Sequence, residues 1–242
     1  MRVTARKHPL RLPASFALVL FLCASQAISW ERFEKTYKAK DRSHLTISNI
    51  RGQVTVAAWS KRVISVRAVT DPEVDVEDEV SKEEIEISVK KESKLGRADF
   101  EVFAPADTSV TIKNVIGKIE VRGINGHVSV KSFDSDVRLI GIRAPSVEVR
   151  ITGGDIYFDG ELQEEGDYSF QSMKGDIEMS LPASSRFRLK ARALSENINL
   201  GEFLSNFKDM IKGSKEISGS YRNDGPKLSI TTYAGRILFH KK

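Results

Sequence analysis

Six times along this chain of 242 residues, two alternating apolar residues lead to a corner position, and two more alternating apolar residues follow it. The spacing is the same each time: apolar-x-apolar, four intervening residues, glycine, one residue, apolar-x-apolar. It fits Leu45, Ile47, Gly52, Val54 and Val56, and again Val110, Ile112, Gly117, Ile119 and Val121. It fits Val147, Val149, Gly154, Ile156 and Phe158, then Tyr168, Phe170, Gly175, Ile177 and Met179, and last Leu228, Ile230, Gly235, Ile237 and Phe239. A degenerate copy has Leu189, Ala191, Ile198 and Leu200, with Glu196 at the corner. Alternation means that each short strand buries one face. Glycine at the corner permits positive φ or a close approach of two backbones.

The period decides between architectures. With "SDVRL" (Ser135, Val137, Leu139) as a further copy, the corners at 117, 135, 154, 175 and 196 lie 18, 19, 21 and 21 residues apart. A stack of coils needs a near-constant coil length, because each coil must sit over the last. A sandwich or a plain meander does not. The expected fold is therefore all-β: a single-domain parallel β-solenoid of short strands, about 20 residues per coil. Ile119, Val137, Ile156, Ile177 and Ile198 should form one inward ladder. Residues 28–103 are less regular than 104–242, and "DPEVDVEDEVSKEE" reads as a solvated acidic loop or flap with strand fragments. Between Gly201 and Gly213, Phe203, Leu204, Phe207, Met210 and Ile211 fall at helical spacing, which predicts one short helical insert.

Residues 1–27 read as a signal peptide. Arg2, Arg6, Lys7 and Arg11 precede an apolar run from Ala14, and Ser25 and Ala27 suit signal-peptidase cleavage. The apolar run is short for a permanent span, which needs roughly 20 residues. Leu22 before Cys23 argues against lipidation. The remaining domain, 28–242, is expected to be exported to the periplasm, envelope or exterior. Cleavage would lower Lys+Arg from 38 to 34 against 33 Asp+Glu, so the basic excess belongs to the leader and gives no nucleic-acid footprint. It would also remove the sole cysteine, and with it any disulfide or thiolate metal site.

"LTISNIRGQVTVAAWSKRVISVRAV", "VFAPADTSVTIKNVIGKIEVRGINGHVSV", "MSLPASSRFRLKA" and "PKLSITTYAGRILF" resemble the bacterial putative-adhesin family of unknown function, over about residues 40–240. The resemblance rests on the recurring N-x-x-G-x-[IV]-x-V corner, a proline after a strand (Pro105, Pro182) and a terminal G-x-I-x-apolar run. It implies an exported or envelope-associated β-solenoid and carries over no catalytic residue. The Glu196 corner and the Phe203–Ile211 insert depart from that pattern.

Few residues suggest chemistry. Asp136, Asp155 and Asp176, with Asn197 after them, follow successive corners and should stack outward about 4.8 Å apart. Such a ladder would suit a cation with oxygen ligands, although Asp beside Gly is also ordinary turn chemistry, and Lys174 and Arg138 stand near enough in sequence to offset the charge. Carboxylate pairs about 5–9 Å apart can also hydrolyse glycosides, which would recruit Asp155 and Asp176 with Arg138 or Arg150. Tyr157 is the best sugar platform. His44, His127 and His240 have no spaced partners, and no nucleophile, metalloprotease or phosphate-loop motif occurs. The expectation is a non-catalytic module without cofactor, its partner an envelope protein or a surface glycan. The alternative is a carbohydrate-binding or carbohydrate-active β-helix. The two end copies are expected to cap the stack, with Lys241 and Lys242 keeping the protein monomeric.

Overall fold

The computed structural model describes residues 31–90, 96–195, 197–223 and 225–242. The expected leader and the Glu196 corner lie outside them. Eighteen strands follow one another among the described residues. They begin with β1 (Glu31–Lys38), β2 (His44–Trp59), β3 (Val63–Thr70), β4 (Val76–Ser81), β5 (Glu84–Val89) and β6 (Ala98–Pro105). Next come β7 (Ser109–Arg122), β8 (Val128–Ile142), β9 (Ser146–Gly153), β10 (Ile156–Gly160), β11 (Asp167–Lys174) and β12 (Ile177–Leu181). The chain ends with β13 (Phe187–Ala193), β14 (Ile198–Asn199), β15 (Phe207–Lys212), β16 (Glu216–Tyr221), β17 (Lys227–Ala234) and β18 (Ile237–Lys241).

The copies stack as parallel coils with two arms. The first arm runs β4–β5–β2–β7–β8–β9–β11–β17–β13–β16–β15. The second runs β1–β3–β6–β2–β7–β8–β10–β12–β18–β14. Because β2, β7 and β8 pass unbroken through the corner, the arms form one folded, open 18-stranded sheet. This is the all-β, solenoid-like architecture the period implies. The antiparallel pairings are β4 on β5, β3 on β6 with β1 on β3, and β16 on β13 with β15 on β16, all at the two ends of the stack.

The inward ladder exists, but its order differs from chain order. It runs Phe100, Val54, Ile119, Val137, Ile156, Ile177, Ile237, Ile198. The last copy in the chain, β17–β18, lies between β11–β12 and the degenerate copy β13–β14. At the opposite end, β2 likewise lies inside β5 and β6. Each terminal copy thus has further strands stacked outside it, so neither is a cap. The physical reason lies in what an inner coil must do, which is to pair along its length on both sides. The complete copy at 227–241 can do so, whereas the second strand of the degenerate copy offers only Ile198 and Asn199.

The apolar interior is continuous. All ladder members except Ile198 are at most 2% exposed, and burying each aliphatic side chain contributes about 1.5–3 kcal/mol. Aromatic rings close one end. Phe187, Phe203 and Tyr221 are fully buried, with Phe187 stacked on Tyr221 at 5.3 Å and Phe203 edge-on to Tyr221 at 4.9 Å. Lys241 lies over Phe203 and Tyr221, 5.3 and 5.9 Å from their centroids, and Lys242 pairs with Asp159. Lys241 ends a strand that β12 pairs along its whole length and β14 pairs only at Ile237 and Leu238.

The helical insert is shorter than its spacing implies. Gly201–Asn206 forms a 3-10 turn, and Phe207–Lys212 is strand β15 on β16. Phe203 enters the aromatic cluster from the turn and Phe207 from the strand, while Leu204 and Ile211 are 55% and 72% exposed. The five apolar residues therefore never share one buried face. A two-turn helix is marginal on its own, and the edge of β16 offered backbone partners instead.

Candidate functional site

The corners carry a polar system that runs along the stack. Three corner carbonyls accept a hydrogen bond from a buried polar side chain three residues before the next corner in the stack. Asn114 Nδ2 donates to the Gly52 carbonyl (3.5 Å), Ser172 Oγ to Gly154 (3.3 Å) and Thr232 Oγ1 to Gly175 (2.9 Å). Asn114 also donates to Ser135 Oγ at 3.1 Å, which anchors the one described corner that is not glycine. Corner backbones approach closely. A Cβ on Gly175, where φ is +143°, would stand 2.0 Å from the Gly154 carbonyl oxygen. The recurring spacing of a polar residue and a glycine is therefore the mark of coil-on-coil contact.

The aspartates complete it. After four of the corners the backbone amide donates to a carboxylate of the adjacent layer. Asp155 N–H donates to Asp136 Oδ1 (3.2 Å), Asp176 N–H to Asp155 Oδ1 (2.8 Å) and Arg236 N–H to Asp176 Oδ1 (2.7 Å). Asp99 does the same for Gln53 at 2.8 Å. The column thus reads Asp99, Gln53, Lys118, Asp136, Asp155, Asp176, Arg236. The Arg236 guanidinium also reaches Asp176 Oδ2 at 2.6 Å, and this contact holds the Asp176 carboxyl below the usual carboxylate range despite partial burial.

Asp136, Asp155 and Asp176 do stand together, on the outer face of the second arm, along a groove of about 470 Å³. Arg138 lies in the same groove with its guanidinium 4.7 Å from the Tyr157 ring centroid, so one face of the sugar platform already carries a cation. Arg150 belongs to the other arm, where it pairs with Glu148 at 2.8 Å. Asn197 is separated from Asp176 by the Arg236 layer. His44 contacts Thr111 Oγ1 at 2.9 Å, His240 contacts Glu178 at 2.9 Å on the groove face, and His127 is exposed. Among the described residues, no three His, Asp or Glu converge into a group that could hold a metal ion.

Sequence reasoning missed Arg236, Asp99 and Glu178. Arg236 was hidden by the assumption that coils stack in chain order. The signal that finds it is the imperfection of the 189–200 copy, because imperfect repeats belong at the ends of a stack.

Comparison with known proteins agrees with this geometry. The Toastrack DUF4097 family model matches residues 110–238. A structure described as a putative cell adhesion protein from Clostridium sporogenes is 11% identical, with 88% of this chain and 100% of that chain covered and a TM-score of 0.50. A putative adhesin from Bacteroides fragilis is 14% identical, with 88% and 99% covered and a TM-score of 0.45. At 11% identity the likeness to the Clostridium sporogenes protein is one of fold alone. No curated protein matches the sequence.

Proposed function

Because this chain belongs to the Toastrack DUF4097 family, we propose that residues 28–242 form an exported, non-catalytic interaction module of the cell envelope, working after loss of residues 1–27. The observation that carries this reading is the employment of the aspartates. Asp136, Asp155 and Asp176 each give an oxygen to a backbone amide of the next coil, so the column serves the stack before it serves a ligand. What such a stack offers outward is two long faces. Adhesion is the role that the names of its structural neighbours express, and the order of basic, apolar and small residues at 1–27 supports export. Among the described residues, no helix is long and apolar enough to cross a membrane.

One observation favours a carbohydrate-directed variant of this reading. Tyr157, Arg138 and the carboxylates line a single groove, which is suitable chemistry for hydroxyl-rich ligands. A glycan array combined with a reducing-sugar assay, each with and without calcium, separates the possibilities. Binding without turnover is the expected result. Turnover abolished by Asp155→Asn and Asp176→Asn would overturn the non-catalytic reading. Intact-mass measurement of protein from its native envelope tests export, and a soluble cytoplasmic chain that retains residues 1–27 would refute it.

A further inference from the structure

We propose that copies of this chain join head to tail, with edge strand β4 of one copy pairing antiparallel with edge strand β15 of the next. The inference rests on the fold and is independent of any ligand for the groove.

Both strands are edges of the same arm, at its opposite ends. Among the described residues β4 pairs only with β5, and β15 only with β16. Each is six residues long. Their directions suit each other. β4 runs against the coils, because it is antiparallel to β5, which is parallel to β2. Two antiparallel steps, β13 to β16 to β15, return β15 to the coil direction. Stacking one copy on another therefore brings the two edges together antiparallel and continues the first arm.

Their charges suit each other as well. β4 holds Glu77 and Glu79, with Asp78 already paired to Lys35, and no basic residue, and the neighbouring β5 adds Glu84 and Glu86. β15 holds Lys208 and Lys212 against one acid, Asp209, and the nearby β13 adds Arg188, Lys190 and Arg192. An open edge invites pairing with another chain, and edge charge is the usual defence. Here the defence is selective. Two β4 edges repel each other, as like charges across a pair do, and so do two basic ends, but the unlike ends attract. Each edge also exposes an apolar side chain, Val80 at 58% and Ile211 at 72%. A head-to-tail contact grows as an open filament when its rotation does not close a ring, and edges at opposite ends of one stack extend the stack lengthwise. The bulge between Lys208 and Ile211 shortens the available ladder and makes each joint weak.

The test uses the protein as recovered from cells, studied by sedimentation velocity and small-angle scattering at about 50 mM salt, where screening is modest. The wild type should associate with rising concentration into elongated particles and dissociate in strong salt. Glu77→Lys with Glu79→Lys, and separately Lys208→Glu with Lys212→Glu, should each weaken association at least tenfold. An equimolar mixture of the two variants should recover it, because the altered ends are complementary; a variant that had failed to fold could not do this. A wild type that stays monomeric at several hundred micromolar would overturn the proposal. So would single-edge variants that associate as the wild type does. An acidic extended peptide that binds β15 while the protein remains monomeric would assign that edge to a foreign strand and likewise defeat it.

Discussion

Gly175, Gly235 and Gly141 separate two constraints, steric contact and backbone sign. At Gly175 both act, since φ is +143° and a Cβ would stand 2.0 Å from the Gly154 carbonyl oxygen. At Gly235 only contact acts, again at 2.0 Å, here from the Gly175 carbonyl oxygen. At Gly141 only sign acts, with φ +64° and the nearest atom 4.0 Å away. Alanine should therefore cost about 1 kcal/mol at Gly141 and at least about 2–3 kcal/mol at Gly175 and Gly235, read from urea midpoints. Equal, small losses at all three would remove close approach as the reason for the corner glycines. Asp176 makes a smaller, pH-marked contribution. Its carboxyl pKa is lowered in the folded state, chiefly by Arg236, so its stabilisation is complete above about pH 4, the unfolded value. It is lost as pH falls through the lower folded value. The pair is partly solvent-exposed, so Asp176→Asn should cost only about 0.5 kcal/mol at pH 7. The gap from wild type should narrow as pH falls below about 4 in thermal melts. At this scale the sequence was readable: the corners, the outward aspartates and the inward isoleucines all stand where alternation puts them. The partners of those residues were not readable, because the amide that each aspartate accepts comes from another coil.

At the scale of strands and turns, position in the stack outweighs position in the chain. Ile177 sits between Ile156 and Ile237, with coils on both sides. Aspartate at 177 or 237 buries a charge with no partner and should prevent folding, a loss above about 4 kcal/mol. Ile198 has a coil on one side and is partly exposed, so Ile198→Asp should leave a folded, weakened protein. Arg150→Asp on the outer face should cost about 1 kcal/mol or less. Circular dichroism and urea titration of the four variants measure this order, and an Ile237→Asp protein as stable as wild type would contradict the interior place of β18. The strands were legible from alternation with glycine corners. The 203–211 segment was not, because its helical spacing is shared between a turn and a strand that deliver Phe203 and Phe207 to the same aromatic cluster. The acidic stretch around β4 read as a solvated loop or flap with strand fragments, and β4 is such a fragment, because an edge strand with one open side keeps much of the composition of a loop.

For the whole molecule, the 18 to 21 residue period predicted the stacked architecture, and it did so without reference to any ligand, because a coil can be repeated only if its length is kept. Layer order needed tertiary information. It depends on which copy can pair on two sides, and a single copy read alone does not disclose that. The same layering separates the ends electrically, acidic at β4 and basic at β15, so that any head-to-tail joint would be a property of the complete stack. It also sets a clock. β17 and β18 are made after β13–β16, yet they lie between β11–β12 and β13–β14. Until those residues emerge, the layers on either side of them have no neighbour to close on, and the aromatic end lacks Phe239 and Lys241. Completion of the interior therefore waits for β17 and β18, after the layers on both sides of them have been made.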